Sequence, residues 1–215
     1  MSSMGTDPLT DSMRFALMVV QSVGLDRKQK NMHVEVVEPS SDDRDLIKNL
    51  YTFYRYDLMP FIDLGAGSCV NAFGTIDGST SHTHAEAVDD CNVWWEKPGI
   101  LFAFLVRVEG NPAGFVMVAT PPHTTAGIAY RMNEFFVLNR FRRCGVGTRA
   151  AIEVVDRFAG KWEVGCTSTN AAATAFWRKV IPAYTNGEYE ETEIGGDPNF
   201  SMLRGYVFDT SERTA

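Results

Sequence analysis

No apolar run in the 215-residue chain approaches the ~18 residues needed to span a bilayer, which sets aside an integral helical membrane protein. The nearest thing to a signal-peptide core, Phe15 to Val20, is short and runs into Gln21 and Ser22 without a convincing cleavage site. It reads as a short amphipathic segment. Basic charge is scarce too: 20 Lys and Arg stand against 27 Asp and Glu, for a net charge of −7. Phosphate backbones want a basic face, so nucleic acid is not expected as the main partner. An acidic protein instead suits a cationic acceptor such as an amine. The four cysteines, Cys69, Cys91, Cys144 and Cys166, are scattered and form no CxxC pair. A reduced, cytoplasmic chain explains them better than a disulfide framework. His82-Thr83-His84 lacks nearby cysteine partners and reads as solvated loop, so no metal is expected. No Ser-His-Asp or Cys-His grouping follows from spacing, and no internal repeat or low-complexity tract is present.

What remains is ordinary for one globular domain: 45% hydrophobic and 22% charged residues, in a chain long enough for a substantial core. The informative stretch is Asn133 to Thr148, NEFFVLNRFRRCGVGT. It combines an apolar strand (Phe135 to Leu138), a basic turn (Arg140, Arg142, Arg143) and Gly145-Val146-Gly147 opening a helix. Glycines let the backbone approach a ligand and leave amide N–H groups pointing outward. The first helical turn adds unpaired N–H groups and the positive end of the dipole. Such a turn is a site for phosphate or pyrophosphate. Gly145 to Ala150 also fits GxGxxA, the dinucleotide pattern, but that pattern belongs after the first strand of a doubly wound sheet. Here it lies two-thirds along the chain, and Lys161 to Ser168, the next strand, carries its acid Glu163 near its start. An ordinary glycine turn is the third reading.

In chain order, residues 1–31 read as an extension, with Met13, Leu17, Val20 and Val23 on one helical stripe. A strand from His33 to Val37 follows. Ser40 or Ser41 caps a helix beginning at Asp42 and Asp43, with Leu46, Leu50, Phe53 and Tyr54 at helical spacing. Asp57 to Lys97, with Gly65-Ala66-Gly67, Gly78 to Ser81 and the pair Trp94-Trp95, is irregular and suits a variable acceptor-binding segment. Ile100 to Val108 is apolar throughout, as in a strand buried on both faces. Glu109 to Pro112 turns it into a partner from Gly114 to Thr120. Ala129 to Leu138 leads into the glycine turn. The helix after it has Gly160 at its C′ position. Trp162, Val164 and Cys166 alternate on a strand, Asn170 or Thr169 caps a helix from Ala171 that stops near Pro182, and Tyr189 to Ile194 with Phe200 to Phe208 closes as a hairpin around Gly195 to Pro198.

This order, β-α-(irregular)-β-β-β-α-β-α-β-β, together with Arg142-x-x-Gly145-x-Gly147, resembles the GNAT acetyltransferase superfamily from about Met32 to Asp209. Asn170-x-x-Ala173-x-x-Phe176-Trp177, continuing through Lys179, resembles the family's second cofactor segment. The resemblance implies an α/β (α+β) fold: a mixed, mostly antiparallel sheet, helices on both faces, and a splay between the fourth and fifth strands. The implied domain is 32–209, with a C-terminal tail 210–215. The implied cosubstrate is acetyl-CoA, and the implied reaction is direct attack by a small-molecule or peptide amine in a ternary complex. Amides from Arg143 to Thr148, through Cys144, Gly145, Val146 and Gly147, would hold the pyrophosphate, with Arg142 and Arg143 as cationic partners. The pantetheine arm would pair with Phe136, Val137 and Leu138 on a bulged strand, and the Val137 N–H would meet the oxyanion, a contribution of ~3–4 kcal/mol. Glu134, a carboxylate among Met132, Phe135 and Phe136, is the candidate general base. Binding the acceptor's ammonium, or a structural pairing with an arginine, are its other readings. The tyrosine often used as general acid is replaced by Trp177, whose indole is no practical acid. Tyr184 or Tyr130 stands in as candidate. A non-catalytic acyl-CoA-binding regulatory module and a dinucleotide-binding oxidoreductase are the alternative functions. The closing hairpin and the extension are candidate homodimer contacts.

Overall fold

A computed structural model describes residues 32–61, 70–76, 81–194 and 203–212. The Met13–Val23 stripe, Cys69, Gly65-Ala66-Gly67 and the Gly195–Pro198 turn lie outside the described residues. The strands are β1 (Val34–Val37), β2 (Leu101–Val108), β3 (Asn111–Ala119), β4 (Tyr130–Val137), β5 (Lys161–Thr167), β6 (Glu190–Ile194) and β7 (Leu203–Asp209). The helices are α1 (Asp43–Leu58), the single turns α2 (His84–Ala87) and α3 (Val93–Glu96), α4 (Val146–Val155) and α5 (Ala171–Thr185). Seven strands form one sheet in the order β1-β2-β3-β4-β5-β7-β6. All neighbours are antiparallel except β4 and β5. This is the mixed sheet expected from the sequence. It is not the parallel, doubly wound sheet of a dinucleotide domain.

Alternation along β2 and β3 splits their side chains between two layers. Leu101, Ala103, Leu105, Phe115, Met117 and Ala119 pack with Ile47 and Leu50 of α1, Cys91 and Trp94. Phe102 and Phe104 turn the other way, onto Phe158 just past α4. The buried stripe of α4 is Val146, Ala150, Ala151, Val154 and Val155. Trp94 therefore belongs to the core, whereas Trp95 is half-buried with Arg44 over its ring.

Several boundaries differ from the sequence expectation. Phe53 is 56% exposed. Ile47, Leu50, Tyr51 and Tyr54 are spaced by three and four, so they make the inward stripe and Phe53 falls outside it. α1 has Asp42 at its N-cap with no side-chain cap bond; instead Ser40 donates its N–H (3.0 Å) and hydroxyl (2.8 Å) to Asp43. α4 ends at Val155, not beside Gly160. Gly160 stands at the sheet end, where its φ of 151° disfavours a side chain and a Cβ would press on Tyr130 at 3.1 Å and Ala129 at 3.2 Å. Pro182 lies inside the last turn of α5, which continues to Thr185 and closes on Asn186 in the left-handed region. A proline so near the end loses a single ladder bond and does not stop the helix at once.

Gly114 brings β3 against β4. A Cβ there would stand 2.0 Å from the Phe136 carbonyl oxygen and 3.0 Å from the Val137 Cα. Backbone cannot yield as a flexible side chain can. Gly114→Ala is therefore expected to lower stability by about 1–3 kcal/mol or more, read as a lower urea midpoint.

Candidate active site

Two irregularities of β4 build the site. In the ladder with β3, Met117 faces Glu134 and the next residue, Val118, faces Met132, so Asn133 is an extra residue: a β-bulge. The bulge resets the alternation. Met132 and Phe135 share the α4 side, while Glu134 and Phe136 share the α1 side, where Phe136 meets Tyr54 and Phe115. On the opposite edge, β4 pairs with β5 only at Tyr130–Trp162, Arg131–Glu163 and Met132–Val164. Beyond Met132 the two strands separate, and β5 continues alone along β7 to its end. The closed end of the wedge is pinned by the buried Glu163, which accepts from Arg131 Nε at 2.6 Å and Thr125 N at 2.9 Å.

Beyond the bulge, β4 keeps its outer edge free. The Leu138 N–H donates to the Ala113 carbonyl at 2.8 Å. Bonded and non-bonded pairs alternate along an antiparallel ladder, so the N–H and C=O of Val137, opposite Gly114, point away from β3 into the opening. The carbonyl is taken by Arg142 Nε at 2.6 Å. The N–H is aimed at the wedge.

The glycine turn follows. Arg143 (φ 63°) and Gly145 (φ 88°) are both left-handed, and Gly145 is the N-cap of α4 without a side-chain cap. The first amides of α4, from Val146 to Thr148, have no carbonyl one turn back and are free for an anion. Space is open where a Gly145 side chain would stand, whereas at Gly147 it would meet Phe176 at 3.2 Å. The turn is thus an open amide cradle backed by an aromatic ring. Arg142 is used differently from the sequence expectation: besides the Val137 carbonyl, it bonds Asp57 of α1 and lies over the Phe136 ring at 5.5 Å. The Cys144 thiol donates to the Phe141 carbonyl at 2.8 Å. Asn170 caps α5 through Ala173 N at 3.0 Å. Lys179 is exposed on α5, and Phe176 stacks on Phe135 at 5.5 Å.

Glu134 sits beside the wedge in a half-buried position. Its Oε2 accepts from the Tyr54 hydroxyl, and its Oε1 accepts from Asn133 Nδ2 at 3.1 Å. Burial pushes its carboxyl up to about 7, against hydrogen bonds from Tyr54, Tyr51 and Asn133 that hold it down, with the Asp90 charge adding to the rise. Tyr54 and Tyr51 are themselves raised, first by burial and then by the Glu134 charge, and keep their protons. Cys91 nearby is pushed up to about 12 by burial. Tyr51, Tyr54 and Asp57 escaped the sequence reading. The available signal was two tyrosines on the buried stripe of α1, where each hydroxyl needs a partner.

Tyr184 does not join this group. Its hydroxyl donates to Asp156 at 2.6 Å, just past the C-terminal end of α4. The glycine turn lies at the other end of that helix, about 15 Å away at 1.5 Å per residue. Tyr130 is held against Phe158 and Trp162 at the closed end of the wedge. Trp177 is buried against Phe135 and Phe176. His82 stacks on Phe73 at 3.8 Å, Thr83 caps α2, and no metal-binding cluster occurs among the described residues. Nor, among them, is any helix long and apolar enough to cross a membrane.

Solved structures with this fold include an acetyltransferase from Thermus thermophilus (15% identity, 82% of this chain and 96% of that one, TM-score 0.54). A spermidine N-acetyltransferase from Vibrio cholerae in complex with CoA and spermine is similar (11%, 85% and 98%, 0.55). So is a ribosomal L7/L12 alpha-N-protein acetyltransferase in complex with coenzyme A (12%, 83% and 94%, 0.54). No curated protein matches the sequence. The profile of the Acetyltransferase (GNAT) family matches residues 73–181, just over half of the chain. The chain belongs to that family and is an acyltransferase.

The Glu134 carboxyl gives a test of this electrostatic picture. Its folded pKa, about 7, lies above its ordinary value of 4.5, so the folded state holds an extra proton between those values. The associated stability is present below pH 4.5 and is lost as pH rises through 7. Glu134→Gln, which cannot ionise, is expected to exceed the wild type in stability by about 2–3 kcal/mol at pH 8 and by much less at pH 5, measured by urea unfolding at both values.

Proposed function

We propose that residues 32–209 form an N-acetyltransferase that moves the acetyl group of acetyl-CoA to a primary amine by direct attack in a ternary complex. The observation that carries the reading is Glu134: a carboxylate with a pKa of about 7, turned by the bulge to the edge of the wedge. A base poised near neutrality suits removal of a proton from an ammonium, directly or through water. The amides of Val146, Gly147 and Thr148 are suited to the pyrophosphate, with Arg143 at the turn as cationic partner. The opening alongside Phe136, Val137 and Leu138 suits the pantetheine arm. The Val137 N–H, aimed into the opening, suits the oxyanion that develops on the thioester carbonyl.

The amine nitrogen attacks that carbonyl, its proton passes to Glu134, and the C–S bond breaks as the intermediate collapses. With Tyr184 bound to Asp156 and Trp177 in the core, the thiolate leaves without a protein acid and takes its proton from water. The missing hydroxyl at Trp177 is also the observation that favours a second reading, an acyl-CoA-binding module without turnover.

Calorimetric titration with acetyl-CoA, paired with a thiol-release assay over a panel of amines including spermine and an N-terminal peptide, separates these. Wild type is expected to bind and turn over. Gly145→Glu, which puts an anion into the cradle, loses binding. Glu134→Gln keeps binding within a few-fold and loses about 10²–10⁴-fold in kcat. Binding by wild type with no turnover across the panel favours the module; absence of binding sinks both.

A further inference from the structure

Glu134 is fastened to α1 by a contact that the chemistry above does not use. Tyr54 lies 80 residues away in sequence, yet its hydroxyl donates to Glu134 Oε2. The ring is clamped by Tyr51 at 5.4 Å, Phe115 at 5.7 Å and Phe136 at 5.9 Å, so it has no freedom to swing away. Asn133, the bulge residue, holds the other oxygen. A carboxylate gripped at both oxygens from two directions has one orientation, with its remaining lone pairs left for a substrate proton.

We propose that Tyr54 is the positioning residue of this active site: its hydroxyl fixes the Glu134 carboxylate and favours the anionic form that accepts the amine's proton. The proposal rests on the reading of Glu134 as the base. Donation runs one way only, because the phenol keeps its proton across the working range. A hydrogen bond to a charged acceptor is stronger than one to a neutral acid, so this contact opposes burial. Among the described residues, the other groups that bear on Glu134 are these. From α1 it is Tyr51, a second donor; Arg55 of the same helix lies 3.8 Å from Asp90. From the turn before α3 they are Asp90, which disfavours the anion, and Cys91, which stays protonated. β3 contributes the uncharged Met117 opposite. Of the hydrogen bonds holding the carboxyl down, that from Tyr54 is foremost.

The test uses the full chain as wild type, Tyr54→Phe, Tyr51→Phe and Glu134→Gln. Carbon-13 labelling of the glutamate carboxyls, with the Glu134 signal assigned by its absence in Glu134→Gln, reads the ionisation with acetyl-CoA absent. In parallel, the pH–rate profile of thiol release is recorded with whichever panel amine turns over. Tyr54→Phe is expected to raise both the Glu134 midpoint and the ascending limb of kcat by about one pH unit, a roughly fivefold loss at pH 7 that approaches tenfold below pH 6. Activity recovers above pH 9 and KM for the amine changes less than about twofold. Tyr51→Phe shifts both less. If Glu134→Gln is inactive while Tyr54→Phe titrates and turns over like wild type, the positioning role is overturned and the base survives. If Glu134→Gln keeps full activity, the base reading falls, and the proposal falls with it. A loss of kcat in Tyr54→Phe that is equal at every pH, with the carboxyl midpoint unmoved, also overturns it.

Discussion

The separation of β4 from β5 after Met132 and Val164 is the constraint on which the rest depends. Paired to their ends, the two strands would satisfy each other's backbone and leave no edge for a ligand. Because they part, the Val137 N–H stands open and its carbonyl is left for Arg142, while the strand stays anchored to β3 on its other side. The parting is stable because each half has another partner. β5 runs its whole length along β7, and the closed end is held by Arg131 paired with the buried Glu163. The arginine matters most: removing it would leave the Glu163 charge buried without its cation, which costs far more than an exposed pair contributes.

The bulge at Asn133 does the complementary work on the side chains. Strict alternation would put Glu134 on the same face as Met132. One inserted residue moves it to the α1 layer, next to two half-buried tyrosines. The outcome for the carboxyl is a contest of opposing effects. Three hydrogen bonds favour the anion, yet burial and the Asp90 charge outweigh them and leave the pKa near 7. An unopposed burial would have carried it higher, to a group that rarely ionises at neutral pH. The tyrosine contacts thus keep a half-buried acid able to ionise near neutral pH.

α1 joins the two halves of the site. Tyr54 grips the carboxylate, and one turn later Asp57 bonds Arg142, the residue that opens the glycine turn. Arg142 in turn lies on Phe136 and holds the Val137 carbonyl, so the carboxylate, the exposed strand edge and the anion cradle share one scaffold. A helix that began as a hydrophobic cover for the sheet also sets the spacing of the polar groups beneath it.

Much of this was legible in the sequence because it depends on near neighbours in the chain. Apolar runs marked β2 and β3, the glycines after Arg143 marked the start of α4, and Asn170 marked the start of α5; each element took its type from local periodicity and capping. Glu134 stood out for the same reason, as an acid inside an apolar strand. Where local signals competed with packing, packing won: Phe53 lost its place on the stripe to Tyr51, and Gly160 served the sheet end rather than the helix. The partners of Glu134 and Arg142 were not legible at all. Tyr54 and Asp57 lie 80 and 85 residues from them, and no pattern in a single chain says which tyrosine meets which acid. Tyr184 shows the same limit in reverse, a plausible acid by sequence that the fold carries to the wrong end of α4. The sequence determined the strands, the helices and the anion cradle, since those follow from residues within a turn or two of one another. Only the tertiary structure decided the charge, orientation and company of the Glu134 carboxylate, because burial and hydrogen bonding are properties of what the folded chain brings together from far apart.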